Sequence, residues 1–174
     1  MEIKRVGVVG CGLMGSGIVE VCARAGYQVA VREVNDDLLK TGLARIEGSM
    51  QRGLQRGKLT EADAGAVRSR IRGTTNLKDL AESDLIIEAV VEQVDLKKQV
   101  FQELDGLCPP QTVFASNTSS LSITEMASVT KRRARFIGMH FFNPVPVMKL
   151  VELIRGLETS EETMATGRRF AESL

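Results

Sequence analysis

Residues 4–15 read Lys-Arg-Val-Gly-Val-Val-Gly-Cys-Gly-Leu-Met-Gly, an apolar run followed by the pattern Gly-x-Gly-x-x-Gly. The apolar run over 4–9 predicts a buried strand, and helical spacing of apolar residues predicts a helix from Leu13 to about Ala25. A glycine-rich turn between a strand and a helix suits a dinucleotide's pyrophosphate. The first glycine permits the turn, the second lets the backbone approach the phosphates, and the third lets the helix pack on the strand.

Free N–H groups at the start of that helix would face the phosphates. We therefore expect this loop to bind the pyrophosphate of a dinucleotide cofactor; the alternative is a turn that holds no ligand. The residues of the loop are Gly10, Cys11, Gly12, Leu13, Met14 and Gly15.

An acidic residue completes the pattern at the end of the next predicted strand, 27–32. Glu33 follows Gly15 by 18 residues, close to the spacing of about 20 that dinucleotide-binding loops show. A carboxylate there accepts hydrogen bonds from the adenosine ribose and repels a 2′-phosphate, which favours NAD over NADP. Arg32 beside it could instead accommodate the 2′-phosphate, so NADP stays an alternative.

Apolar strand-like segments alternate with amphipathic helix-like segments along the rest of the 174 residues. Further strands are predicted at 71–74, 85–89, 112–115, 136–140 and 150–154. Asn35 is expected to cap a long helix with Leu38, Leu39, Leu43 and Ile46 on its apolar face, and Thr60 and Asp63 give the capping signal of the next helix. Further helices are predicted at 95–107 and 123–128 and after Ser160. This alternation predicts an α/β fold of the Rossmann type, a doubly wound and mostly parallel sheet within one domain spanning 1–174. Because the chain stops inside a helical pattern, we expect the complete protein to continue.

Composition narrows the possible partners. The net charge is +1, which gives no electrostatic reason to expect nucleic acid, and no segment approaches the ~18 apolar residues of a membrane span. The cysteines Cys11, Cys22 and Cys108 lack metal-ligand spacing, and the chain has one histidine. We therefore expect free thiols in a reducing cytoplasm and no metal site.

A polar stretch, Ala-Ser-Asn-Thr-Ser-Ser at 115–120, follows a predicted strand. Residues at the carboxyl ends of such strands line the ligand crevice of a doubly wound sheet. Ser119 could therefore donate a hydrogen bond to a substrate or cofactor oxygen. The alternative is that the stretch only caps the following helix.

His140, the single histidine, ends a predicted strand, and Pro144 and Pro146 mark a stiff turn after it. If the flanking strands pair antiparallel about Pro146, His140 and Glu152 face each other. A carboxylate opposite an imidazole fixes its tautomer and stabilises its protonated form, which is how a general base is built. The alternative is an ordinary core histidine.

These stretches resemble the NAD-binding domain of the 3-hydroxyacyl-CoA dehydrogenases, including the bacterial 3-hydroxybutyryl-CoA dehydrogenases, over all 174 residues. The motifs that carry the resemblance are Gly-x-Gly-x-Met-Gly at 10–15, Glu-Ala-Val-Val-Glu at 88–92, Ala-Ser-Asn-Thr-Ser-Ser-Leu at 115–121, and Met-His-Phe-Phe-Asn-Pro-Val-Pro-Val-Met-Lys-Leu-Val-Glu at 139–152. The resemblance implies NAD-dependent oxidation of a (3S)-3-hydroxyacyl-CoA to a 3-oxoacyl-CoA, or the reverse reduction of acetoacetyl-CoA. It leaves the acyl chain length open, and also whether the reaction serves fatty-acid breakdown or butyrate metabolism.

The resemblance also implies a role for each matching side chain. His140 is the catalytic base and Glu152 is its orienting partner. Ser119 and Asn143 lie around the reacting oxygen and the nicotinamide. Two further pairs are implied to bind ligands: Glu92 and Lys97 on the nicotinamide side of the cofactor, and Ser49 and Arg56, together with Ser119, at the CoA substrate.

Two features depart from the family pattern. The family usually has Asp where this chain has Glu33, which moves the carboxylate by one methylene. Family members also have a C-terminal helical domain that closes the substrate cleft and forms a homodimer, and we expect that domain to lie beyond these 174 residues. The chain alone should then bind NAD but turn over poorly. A non-catalytic dinucleotide-binding module stays an alternative, whereas a 3-hydroxyisobutyrate-type dehydrogenase does not fit the His-Phe-Phe-Asn-Pro stretch.

Overall fold

A computed structural model describes residues 2–174 and contains one seven-stranded sheet. The strands are β1 (Arg5–Val9), β2 (Gln28–Arg32), β3 (Ile71–Thr74), β4 (Leu85–Glu88), β5 (Val113–Ser116), β6 (Phe136–Phe141) and β7 (Val151–Arg155). Their order across the sheet is β3-β2-β1-β4-β5-β6-β7. The first six run parallel, and β7 runs antiparallel to β6.

Helices connect the parallel strands, as a parallel sheet requires. They are α1 (Leu13–Arg24), α2 (Asp36–Gln55), α3 (Glu61–Arg70), α4 (Val94–Leu107) and α5 (Ile123–Ala127), with a short 3-10 turn at Leu77–Leu80 between β3 and β4. A further helix, α6 (Glu161–Glu172), follows β7. The predicted fold class, a doubly wound Rossmann-type sheet, is confirmed. Within residues 2–174, no helix combines the length and the apolar character that crossing a membrane demands.

Two hydrophobic cores form because successive strand residues point to opposite faces. Leu85 and Ile87 of β4 join the core that α1 and α2 cover, whereas Ile86 between them joins the core beneath α4 and α5. Strands buried on both faces are therefore apolar at almost every position. The polar residues that interrupt this pattern stand out at the strand ends.

The local signals of the sequence account for most helix ends. The Asn35 side chain accepts the N–H of Leu38 at 2.9 Å and begins α2, and Thr60 and Asp63 form the expected capping box of α3. Leu38 itself was expected on the apolar face of α2 but is 47% exposed. The buried stripe instead runs through 39, 43, 46 and 50, and residue 38 lies one position, about 100°, off it.

The strand order places one crevice at the carboxyl edge of the sheet. Connections leave β1 and β4 in opposite directions, so the crevice opens over their carboxyl ends. The loops after β1, β4, β5 and β6 reach this same edge. At its far side, the register of β6 and β7 pairs His140 with Glu152, which confirms the predicted antiparallel hairpin.

Candidate active site

The glycine loop joins the carboxyl end of β1 to the first turn of α1. Gly10 has a φ of +95°, and a Cβ built there would lie 2.7 Å from the carbonyl oxygen of Ala89. A Cβ on Gly15 would collide with the carbonyl oxygen of Gly10. Both positions therefore require glycine, one for the turn and one for the close packing of α1 on β1.

The front of this loop is open. A Cβ built on Gly12 meets no atom within 4 Å. The first turn of α1 contains no acidic residue, and no side chain caps it. An uncapped helix start presents N–H donors and partial positive charge, which suit a phosphate. The residues present therefore fit the pyrophosphate of a dinucleotide.

Glu33 follows β2 and turns onto the glycine loop. Its Oε1 accepts the backbone N–H of Cys11 at 2.6 Å, and its Oε2 accepts the N–H of Val34 at 3.0 Å. A carboxylate has about four acceptor sites, so capacity remains for ribose hydroxyls. Arg32 is held elsewhere, because its Nε–H donates to the carbonyl oxygen of Thr75 at 3.3 Å.

The side chain of Cys11, in the glycine loop, is buried. Burial, together with the nearby charge of Glu33, raises the pKa of its thiol to about 12, although the charge of Arg45 acts to lower it. The thiol is therefore neutral at physiological pH. The loop adds no negative charge of its own to the space in front of α1.

Three charged side chains form a cluster behind the loop that follows β4, and we call Glu88, Lys97 and Glu92 the carboxylate cluster. The Nζ of Lys97 lies 2.7 Å from Oε1 of Glu88 and 3.1 Å from Oε2 of Glu92. The side chains of Lys97 and Glu88 are 0% exposed, whereas that of Glu92 is 41% exposed. Of the two residues predicted to contact the cofactor here, only Glu92 reaches the surface, and Lys97 lies behind it.

Glu88 accepts hydrogen bonds from three donors. Besides Lys97, the hydroxyl of Ser116 donates to its Oε2 at 2.6 Å and the N–H of Val90 donates to its Oε1 at 2.7 Å. Sequence reasoning missed Glu88 and Ser116 as site residues. The signal available was an acidic residue directly after the apolar run 85–87, at a strand end.

Glu92 is held by two neighbours. The hydroxyl of Thr118, another residue that sequence reasoning missed, donates to its Oε1. Partial burial acts to raise the pKa of Glu92, but the hydrogen bonds from Thr118 and Lys97 and the charge of Lys97 outweigh it and lower the pKa below its usual value. Glu92 is therefore ionised at neutral pH.

His140 and Glu152 face each other across the β6–β7 hairpin. Nδ1 of the imidazole lies 2.9 Å from Oε2 of Glu152. Because a carboxylate accepts hydrogen bonds, this contact favours the tautomer with the proton on Nδ1 and a lone pair on Nε2. The ring of Phe142 lies 4.5 Å from the imidazole, centroid to centroid. The pair thus provides an oriented imidazole with one nitrogen able to accept a proton.

Ser119 and Asn143 are exposed in the loops after β5 and β6, at the same edge of the sheet as the histidine. The neighbouring Asn117, which sequence reasoning missed, accepts the N–H of Phe141 through its Oδ1 at 2.9 Å. This bond ties the segment that carries Ser119 to the strand that carries His140. The structure therefore brings the polar segment 115–120 and the imidazole to one place.

Ser49 and Arg56 lie apart from that place. Ser49 is half-buried on α2 and Arg56 is exposed directly after its last residue. Helix α2 packs against α1 and β3, on the opposite half of the sheet from β6 and β7. Burial raises the pKa of the Glu20 carboxyl on α1, and a hydrogen bond from Ser49 offsets part of that rise.

The chain matches a protein family described as "3-hydroxyacyl-CoA dehydrogenase, NAD binding domain" over residues 5–174. It is 48% identical over 174 residues to a probable 3-hydroxybutyryl-CoA dehydrogenase of Bacillus subtilis, covering 100% of this chain and 61% of that protein. It is 47% identical over 173 residues to a 3-hydroxybutyryl-CoA dehydrogenase of Mycobacterium tuberculosis, covering 99% and 60%.

Solved structures show the same likeness. The crystal structure of (S)-3-hydroxybutyryl-CoA dehydrogenase from Ralstonia eutropha superposes with a TM-score of 0.97 at 46% identity, covering 99% of this chain and 61% of that one. The chain thus spans about three fifths of the length of these relatives.

Proposed function

We propose, because this chain belongs to the 3-hydroxyacyl-CoA dehydrogenase family through its NAD-binding domain, that the protein oxidises a (3S)-3-hydroxyacyl-CoA to the 3-oxoacyl-CoA with NAD, or runs the reverse reduction. The observation that carries the proposal is the His140–Glu152 pair, at the same sheet edge as an open glycine loop. The relatives are named for 3-hydroxybutyryl-CoA, so that acyl-CoA is the substrate to test first.

His140 acts in this proposal as the general base. Its Nε2 takes the proton from the 3-hydroxyl group, and Glu152 stabilises the imidazolium that forms. NAD, when bound, accepts the hydride that leaves C3, so that a ketone remains. Ser119 and Asn143 hold the reacting oxygen and the nicotinamide in place.

Each of the remaining predicted residues is assigned to one of the two ligands, the cofactor or the CoA substrate. The glycine loop holds the pyrophosphate, Glu33 the adenosine ribose, and Glu92 the nicotinamide half, with Lys97 acting through Glu92 from behind. Ser49 and Arg56 take the CoA moiety, where the guanidinium can pair with a phosphate. Their distance from the histidine suits an elongated substrate.

The proposal is tested in a chimera, in which these 174 residues replace the matching part of the Bacillus subtilis relative. We expect the chimera to oxidise NADH with acetoacetyl-CoA at a rate comparable to the relative's own, and the chain alone to bind NAD with little turnover. The matched control is the same chimera with His140→Ala, which should bind NAD and lose activity. A folded chimera that binds NAD without turnover would instead support a non-catalytic dinucleotide-binding module.

We propose NAD rather than NADP as the cofactor, because the Glu33 carboxylate would repel a 2′-phosphate. Glu33→Gln should therefore lower the preference for NAD over NADP by about tenfold, the effect of removing one nearby unit charge. Calorimetric Kd values for both cofactors measure this ratio. Glu61→Gln, an exposed charge at the start of α3, is the control that should leave it unchanged. Equal affinity of the unaltered chain for the two cofactors would overturn the assignment.

For the complete protein we propose a homodimer formed through a further C-terminal domain, as the family resemblance implies, and a cytoplasmic location. The three cysteines are free and buried, which agrees with a reducing compartment. Analytical ultracentrifugation of the complete protein tests the dimer, and a monomer at micromolar concentration would contradict it.

A further inference from the structure

The charge of the carboxylate cluster is not needed to bind the pyrophosphate or to transfer the substrate proton. It sets two carboxylates against one ammonium, and each carboxylate contacts Lys97 within 3.1 Å. The cluster therefore carries a net negative charge. Because Glu88 and Lys97 are 0% exposed, water screens their charges less than it would screen a surface pair, whereas the charge of Glu92, 41% exposed, is partly screened.

Fixed donors hold this charge in place. The hydroxyl of Ser116 and the N–H of Val90 donate to the carboxylate of Glu88, and the hydroxyl of Thr118 donates to that of Glu92. Hydrogen bonds to a carboxylate favour its charged form. The positions of both carboxylates are thus fixed by donors of the protein itself, at the end of β4 and in the loop that follows it.

The cluster lies under the half of the crevice that the nicotinamide must occupy. Glu33 marks the adenosine side, next to β2, and the glycine loop after β1 holds the pyrophosphate. The other half of an extended dinucleotide then runs over the ends of β4 and β5 toward His140 on β6. Glu88 ends β4, and Glu92 is the exposed face of the cluster in the loop that follows.

We propose that the carboxylate cluster makes this site discriminate between the two redox states of the cofactor, favouring oxidised over reduced nicotinamide. The oxidised ring carries a positive charge that the reduced ring lacks, so the cluster attracts only the oxidised form. The inference rests on the proposed function, since it needs a nicotinamide cofactor. Glu88 becomes a specificity-determining residue that touches no ligand and acts through its charge and through Lys97 and Glu92.

The test compares the Kd values of NAD⁺ and NADH for the 174-residue chain and its variants, by calorimetry and by NADH fluorescence. Glu92→Gln and Glu88→Gln each remove one negative charge, so that Lys97 balances the carboxylate that remains. We expect each to lower the ratio of the NADH Kd to the NAD⁺ Kd by about tenfold, as removal of one weakly screened charge near the ring would. Glu103→Gln removes the same charge from an exposed position on α4 and should leave the ratio unchanged.

The possible results distinguish failure of this inference from failure of the proposed function. If Glu92→Gln still binds both forms with an unchanged ratio, the inference is overturned and the proposed function stands. If the unaltered chain binds neither form, the proposed function fails. If the ratio of the two Kd values changes in Glu92→Gln but not in a folded Glu88→Gln, the inference is also overturned, because Glu92 would then act by direct contact alone. Should Glu88→Gln not fold by circular dichroism, the salt dependence of the Glu92→Gln effect decides: a change of the ratio that shrinks from low to high ionic strength supports the inference, and a change that salt leaves unaltered overturns it.

Discussion

Glu152→Gln is expected to lower turnover of the chimera by about 10²- to 10⁴-fold, the range that a positioned general base contributes. Glutamine lacks the charge that stabilises the imidazolium of His140. Its amide can also present either its oxygen or its NH₂ group to Nδ1, so the tautomer is no longer fixed. Steady-state rates of NADH oxidation with acetoacetyl-CoA measure the loss, and the Kd of NAD should stay within experimental error of the unaltered chimera's.

The matched control is Glu158→Gln, an exposed glutamate in the turn after β7 that pairs with Arg133 on the surface. It removes the same charge at the opposite end of the β6–β7 hairpin, away from the imidazole, and turnover should not change. Turnover in Glu152→Gln equal to that of the control would contradict the assignment of the pair. A loss of NAD binding alongside turnover would show that Glu152 supports the fold instead.

Gly12→Ala is expected to weaken NAD binding by about a hundredfold, which corresponds to losing one or two charge-assisted hydrogen bonds to phosphate. The φ of Gly12, −69°, is open to alanine, and its Cβ would meet no atom within 4 Å. The methyl group thus costs the fold little and fills the space that the pyrophosphate needs. Calorimetry gives the Kd, and thermal unfolding without ligand should show a Tm close to that of the unaltered chain.

Substitutions at two other glycines serve as comparisons for Gly12→Ala. Gly65→Ala on α3 also places its Cβ in open space, far from the loop, and should leave the Kd of NAD unchanged. Gly15→Ala drives a Cβ into the carbonyl group of Gly10 and should lower the Tm as well as binding. If Gly12→Ala bound NAD as tightly as Gly65→Ala, the pyrophosphate would not lie in front of the loop.

Local chemistry explains why much of the fold was predictable. The glycine loop, the Asn35 cap and the capping box at Thr60 are each set by a few neighbouring residues, so the sequence pattern alone predicts them. The pairing of His140 with Glu152 was predictable for a related reason. A hairpin turn near Pro146 fixes the register, and the register fixes which side chains face each other.

The carboxylate cluster was not predictable in the same way. Lys97 and Lys98 are adjacent in the sequence, yet Lys97 is buried against Glu88 while Lys98 pairs with Glu125. Only the packing of α4 on the sheet separates them. Asn117 was missed because its bond to Phe141 depends on β5 ending before β6 does, which is a property of two strands together.

The two residues of the proposed dyad sit on strands that differ in how firmly they are held. Strand β6 has a neighbour on each side, whereas β7, at the edge of the sheet, pairs with β6 alone. Edge strands open more readily than strands that are paired on both sides, and Glu152 would leave the imidazole if β7 parted from β6. In the proposed function we therefore expect activity to depend on how tightly this one edge strand stays paired, and heat to inactivate the enzyme before the parallel strands melt.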